Sequence, residues 1–158
     1  MNSLKSSLLV LVLLTSMGKM CLSQTIDITN TQNLNFGTFC QTDDAGGTVT
    51  VSNTGTRSST GNIAPIGQSF SYAVFTITTD SVNQFSLQID KPLISISGSN
   101  GGSMSLQIGT ANPEFPSLVV GYPATVYIGG TLTIGTRSEN PAGSYNGNYL
   151  LYFNFYYE

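Results

Sequence analysis

Tyr149-Leu150-Leu151-Tyr152-Phe153-Asn154-Phe155-Tyr156-Tyr157-Glu158 closes the chain. Its odd positions are Tyr149, Leu151, Phe153, Phe155 and Tyr157, and its even positions are the wetter Leu150, Tyr152, Asn154, Tyr156 and Glu158. Period two in aromatic and branched residues is the signature of a β-strand with one buried face. A lone strand cannot hide five large side chains, so the rest of the chain must supply a second apolar layer over them.

The preceding segments carry the same period. Thr25-Ile26-Asp27-Ile28-Thr29 reads as a first strand. Leu34-Asn35-Phe36-Gly37-Thr38-Phe39 resumes the alternation, with Gly37 marking a bulge or a close backbone approach. After the turn Asp43-Asp44-Ala45-Gly46-Gly47, Val49 and Val51 are expected to face inward. Residues 53–67 read as a long polar connection that crosses between sheets or edges a strand. Residues 70–79 have apolar side chains on both faces, as a central strand does, with Ala73, Phe75 and Ile77 on one of them. Asp80-Ser81-Val82-Asn83 turns into the alternating run Gln84-Phe85-Ser86-Leu87-Gln88-Ile89-Asp90, which Lys91-Pro92 ends. Leu93-Ile94-Ser95-Ile96-Ser97 and Ser103-Met104-Ser105-Leu106-Gln107-Ile108 follow, then an irregular segment containing Pro113 and Pro116. Gly129-Gly130 between Ala124-Thr125-Val126-Tyr127-Ile128 and Thr131-Leu132-Thr133-Ile134 reads as a hairpin turn. The expected fold is all-β: an immunoglobulin-like antiparallel β-sandwich of about nine or ten strands, favoured over a closed barrel by the spacing of the turns.

Residues 1–23 read as a secretory signal peptide, with Lys5 before the apolar run Leu8-Leu9-Val10-Leu11-Val12-Leu13-Leu14 and Cys21-Leu22-Ser23 before a cut at Gln24. The apolar run is shorter than the roughly 20 residues a bilayer span needs, so the chain is not expected to span a membrane. A lipoprotein with Cys21 lipidated is the competing reading, although Lys19 and Met20 stand where small residues are wanted. Residues 24–158 are then one exported domain, secreted or held at the cell surface. It keeps three cations (Arg57, Lys91 and Arg137) against eight acids, a formal charge of about −5 with no runs. Sparse Lys and Arg argue against nucleic acid as a partner. Cys40 is left as the one thiol, and its place beside Phe39 points to a buried apolar role.

Chemistry is scarce. The chain has no His, so it has neither an imidazole base nor a His-ligated metal. Asp43-Asp44 is the one adjacent acid pair, and in a turn such residues accept bonds from backbone N–H groups. No catalytic residue, metal ligand or cofactor site is expected, and no enzyme activity. Tyr152 and Tyr156, on the outer face of the terminal strand, are the candidate ligand or partner contacts, since a flat ring offers an apolar face to a sugar.

Leu34-Asn35-Phe36-Gly37-Thr38, then Gly46-Gly47-Thr48-Val49-Thr50-Val51, then Thr54-Gly55-Thr56-Arg57-Ser58 resemble the start of the secreted bacterial domain of unknown function family 4402. Ile128-Gly129-Gly130-Thr131-Leu132-Thr133-Ile134 and Gly143-Ser144-Tyr145-Asn146-Gly147-Asn148-Tyr149 resemble its second half, which ends in a hydrophobic strand. The likeness covers nearly all of the chain after the leader. That family is similar in pattern to spore coat protein U and to chaperone–usher pilin subunits, which are immunoglobulin-like sandwiches. The resemblance implies a structural or adhesive cell-surface module, fimbria-like, without catalytic activity. Its implied partners are other surface proteins, or further copies joined by strand addition. Thr25-Ile26-Asp27-Ile28-Thr29 is already needed as a first strand and the terminal strand is intact, so a self-complete fold is expected over obligate donor-strand assembly. The alternative function is a glycan-binding module using the exposed tyrosines of the terminal strand.

Overall fold

The computed structural model describes residues 25–80, 85–90 and 93–157. The expected leader, the cut before Gln24, residues 81–83 of the expected turn and the stop at Lys91-Pro92 lie outside the described residues. The protein is all-β. In chain order the strands are β1 (Ile26–Gln32), β2 (Thr38–Gln41), β3 (Gly47–Val51), β4 (Arg57–Gly61), β5 (Ile63–Ile66), β6 (Ala73–Thr79), β7 (Phe85–Ile89), β8 (Leu93–Gly98), β9 (Ser103–Asn112), β10 (Ser117–Leu118), β11 (Ala124–Ile134), β12 (Tyr145–Asn146) and β13 (Phe153–Tyr157). The excess over the expected number comes from short pieces, namely β10, β12 and the pair β4 and β5. Those last two occupy the segment expected to be a long connection.

Eight strands form one antiparallel sheet, whose path is β1-β6-β11-β9-β8-β12 with β3 and β4 branching from β11. β10-β7-β13 and β2-β5 form two smaller sheets. The large sheet supplies most of the core through Val49, Val51, Ala73, Phe75, Ile77, Met104, Leu106, Ile108, Val126, Ile128, Leu132 and Ile134, all buried. Each contributes an alternate position of its strand, as the pleat requires. The small sheet meets this face through Phe153, whose ring stands edge-on to Phe75 at 5.6 Å between centroids.

β11 corrects the expected hairpin at Gly129-Gly130. One strand of eleven residues runs straight through the pair, and neither glycine has positive φ. Along one side β11 pairs with β9 from Tyr127 to Thr133. Along the other it pairs with β6 up to Ile128 and with β3 from Gly130 onward. The sheet therefore forks at Gly129, where a Cβ would strike the carbonyl oxygen of Val51 and the backbone of Ser52 and Asn53. Glycine serves close approach here, not turning. β9 takes up the mismatch with an extra residue at Gly109-Thr110. Its inward positions accordingly pass from even (Met104, Leu106, Ile108) to odd (Ala111).

Three smaller expectations are also revised. The run from Leu34 to Phe39 is not one strand: Asn35 makes an isolated bridge to Ser71, and β2 begins only after Gly37, at φ 74°. A Cβ on Gly37 would strike the Ser69 carbonyl, so the expected close approach is what the glycine allows. Cys40 is exposed, not buried. Phe39 is half-buried against the core, and neighbours on a strand point to opposite faces. Finally, the strand ladder of the terminal segment starts late. The Asp90 N–H donates to the Tyr152 carbonyl at 3.1 Å and β13 pairs with β7 from Phe153, while residues 147–152 cross from the large sheet to the small one without strand pairing. The inward parity of this segment holds for Tyr149, Leu151, Phe153 and Phe155, which pack half-buried against the core.

Candidate functional site

A groove of about 1560 Å³ runs between two stretches of chain. One wall is residues 33–41, leading into and along β2, and the other is residues 140–151. Its floor is the inner face of the large sheet: Ile96 on β8, Met104 and Leu106 on β9, Leu132 and Ile134 on β11. Phe75 and Phe153 close one end. The rim is amides and hydroxyls, with Arg137 as its one cation among the described residues.

Each wall is held from behind. Arg57 on β4 donates to the Phe36 carbonyl at 3.2 Å and to the Gly67 carbonyl, and its guanidinium lies 4.8 Å over the Phe70 ring. This fixes the corner from which β2 departs. Ser52 Oγ accepts from the Thr56 N–H at 3.0 Å, and Gly55 takes φ 84°. Thr54-Gly55-Thr56 is thus the turn that delivers Arg57 to the corner. The opposite wall rests on Asn140, a buried amide. Its Nδ2 donates to the Ser103 carbonyl at 2.7 Å, and its Oδ1 accepts from the Gly135 N–H at 2.5 Å. Glu139 Oε2 accepts from both the N–H and the hydroxyl of Thr136, and these bonds hold its carboxyl below the ordinary glutamate range. Tyr145 donates to the Pro141 carbonyl at 2.7 Å. Tyr149, facing the groove, has its phenol pushed up by burial.

The carboxylates act as turn fastenings. Asp43 Oδ1 accepts from the Asp44 N–H at 2.7 Å, and Asp44 Oδ1 from the Arg137 N–H at 3.1 Å. Both bonds belong to the role expected of that pair.

Tyr152 and Tyr156 are exposed, as expected of the outer face. Tyr156 donates to Gln88 Oε1 at 3.2 Å. Neither lines the groove, whereas their neighbours Tyr149, Leu150, Leu151 and Phe153 do. The terminal segment thus serves two surfaces. Sequence reasoning missed the groove because it read Leu34 to Phe39 and the segment from Tyr149 as strands, whereas much of both walls is backbone outside the strand ladders. It also missed Arg57 and Asn140 as wall supports; the one available signal was a lone cation directly after a Thr-Gly-Thr turn.

The family described as Domain of unknown function (DUF4402) matches residues 26–155. The chain belongs to the DUF4402 family. No curated protein and no solved structure matches it. The DUF4402 match opens on the first residue of β1 and ends within β13, so it takes in both walls and the floor of the groove.

Proposed function

We propose that the chain is an exported structural module of the cell surface, fimbria-like, which works through contacts with other surface proteins or with its own copies. The observation that carries this reading is the kind of surface the fold offers. The groove is floored by core aliphatic side chains and rimmed by amides and hydroxyls, and the carboxylates of Asp43, Asp44, Asp80 and Glu139 fasten backbone N–H groups. That is equipment for docking chain against chain, not for moving protons. An immunoglobulin-like sandwich suits the reading, since two packed antiparallel layers leave edges and end loops for partners.

Cell fractionation with surface proteolysis tests it. The chain should be found outside the cell or on its surface, with a mature N-terminus at Gln24 by intact mass. Retention in the cytoplasm at full length would overturn the proposal, and a diacylglyceryl mass on Cys21 would replace secretion with a lipid anchor.

A second reading rests on Tyr152 and Tyr156, 59% and 52% exposed and four residues apart on extended backbone. Two such rings can stack on successive sugars. Glycan-array binding that disappears on the double change Tyr152→Ala and Tyr156→Ala would establish this reading, and an array without hits would remove it.

A further inference from the structure

The two small sheets are separate, β2-β5 on one side of the groove and β10-β7-β13 on the other. Among the described residues β2 has one strand partner, β5, and β13 has one, β7. β2 lines the groove from one side, and Leu150, Leu151 and Phe153 line it from the other.

Backbone direction follows from the bonds already made. In an antiparallel ladder alternate residues turn both N–H and C=O toward the same neighbour. The Thr42 N–H donates to the Asn62 carbonyl at 2.9 Å, just past the β2–β5 ladder. Cys40, two residues back, therefore also faces β5, and Phe39 and Gln41 face the opposite edge. Arg137 Nη2 donates to the Gln41 carbonyl at 3.0 Å, which leaves Phe39 as the open place on that edge. On the other wall, the Tyr152 carbonyl accepts from the Asp90 N–H at 3.1 Å. Tyr152 therefore faces β7, and Leu151 and Phe153 turn their backbone groups away from it. The side chains agree. Phe39, Leu151 and Phe153 pack half-buried against the core, whereas Cys40, Leu150 and Tyr152 are exposed. Residues paired across a ladder share a face, so Phe39 can pair with Leu151 or Phe153 without a change of parity on either strand.

We propose that residues 149–152 are a strap that zips onto β2 at Phe39, closing the groove and joining the two small sheets into one layer. Continuity chooses this occupant. The strap runs directly on from the β13–β7 ladder, which the Asp90–Tyr152 bond already carries past the end of β13. Its inward set, Tyr149 and Leu151, continues that of Phe153 and Phe155 without a break. Paired strands stand about 4.8 Å apart, so closure brings the two walls to that spacing and satisfies backbone groups that an unpaired edge leaves to water. Open, the chain offers two strand edges beside an apolar floor. Closed, it offers neither. Closure does not depend on where the chain resides, so the fractionation experiment leaves it untouched.

Parity gives the test. In a Cys21→Ser background Cys40 is the one native thiol, and Leu150 and Tyr152 share its exposed face. Across the closed ladder one of them comes within about 4.5–5.5 Å of it between Cα atoms, which a disulfide can span. Tyr149 and Leu151 face inward and cannot reach it. Under mild oxidation Leu150→Cys or Tyr152→Cys should form a disulfide to Cys40 within one chain, at least about tenfold faster than Tyr149→Cys or Leu151→Cys does. Leu150 and Tyr152 are exposed, so their variants should keep thermal midpoints near wild type. In the oxidised chain the Phe39 and Leu151 amides should exchange at least about tenfold more slowly than in an unstructured peptide. No link within a chain from either exposed position overturns the proposal, and so do equal links from the inward ones. An oxidised chain whose Phe39 amide still exchanges at the unstructured rate overturns it as well. Links that form only between chains also overturn it, and would assign the slot to a partner's strand.

Discussion

Phe153 and Asn154 are neighbours with different duties. Phe153 packs half-buried against Phe75, while Asn154 takes the alternate side of the strand. Full burial would set the cost of Phe→Ala at ~3–5 kcal/mol, and half-burial brings Phe153→Ala to about 2 kcal/mol. Asn154→Ala should cost less than about 1 kcal/mol. Chemical denaturation of the two variants checks the order, and the reverse order would mean that the strand faces the other way. Cys40 is exposed, so a thiol reagent should modify it in the folded protein about as fast as in the unfolded one; slow labelling would restore the buried placement. Asp80 accepts from the Thr25 N–H and hydroxyl, each at 2.7 Å, and the backbone bond foremost holds its carboxyl below the ordinary aspartate range. A group depressed in the folded state stabilises above its unfolded value and loses that contribution as pH falls through the folded one. Thermal midpoints should therefore drop less steeply below about pH 4 in Asp80→Asn than in wild type. Parallel profiles would mean that the clamp adds nothing.

At the scale of elements, β11 is where the sequence misled. Alternation on either side of Gly129-Gly130 was legible, and so was the inward parity of Val126, Ile128, Leu132 and Ile134. What the pair does there was not, because a hairpin turn and a fork in a sheet both ask for residues without side chains. The difference lies in partners about eighty positions away at β3, beyond the reach of local pattern. Gly129→Ala separates the two. A hairpin turn would accept it at modest cost, whereas here the methyl meets the Val51 carbonyl and should cost about 3 kcal/mol. Gly101→Ala, in the β8–β9 turn with open space around it, should cost less, from its positive φ alone. The groove was hidden for a related reason. Leu34 to Phe39 and the segment from Tyr149 read as strands, and which sheet face residues 33–41 and 140–151 flank is decided by long-range pairing. The outer position of Tyr152 and Tyr156, by contrast, follows from period two, and it was read correctly.

Over the whole molecule, the antiparallel layers follow from alternation, and the family match spans nearly all of them. Their order does not follow, since β1 pairs with β6 and β3 with β11 across long stretches of chain. That wiring has a consequence in time rather than in space. From Tyr127 to Thr133 β11 is flanked by β9 on one side and by β6 and then β3 on the other. The amide hydrogens of that stretch should have no partial opening through which to reach solvent. In deuterium exchange the amides of Ile128 and Leu132 should be the last to go, at the rate set by global unfolding. Those of Ile26 and Ile28, on the outermost strand of the large sheet, should exchange early. If β11 exchanged in two groups divided at Gly129, the sheet would be two cooperative units that share a strand. A single slow group means that the fork makes them one clock.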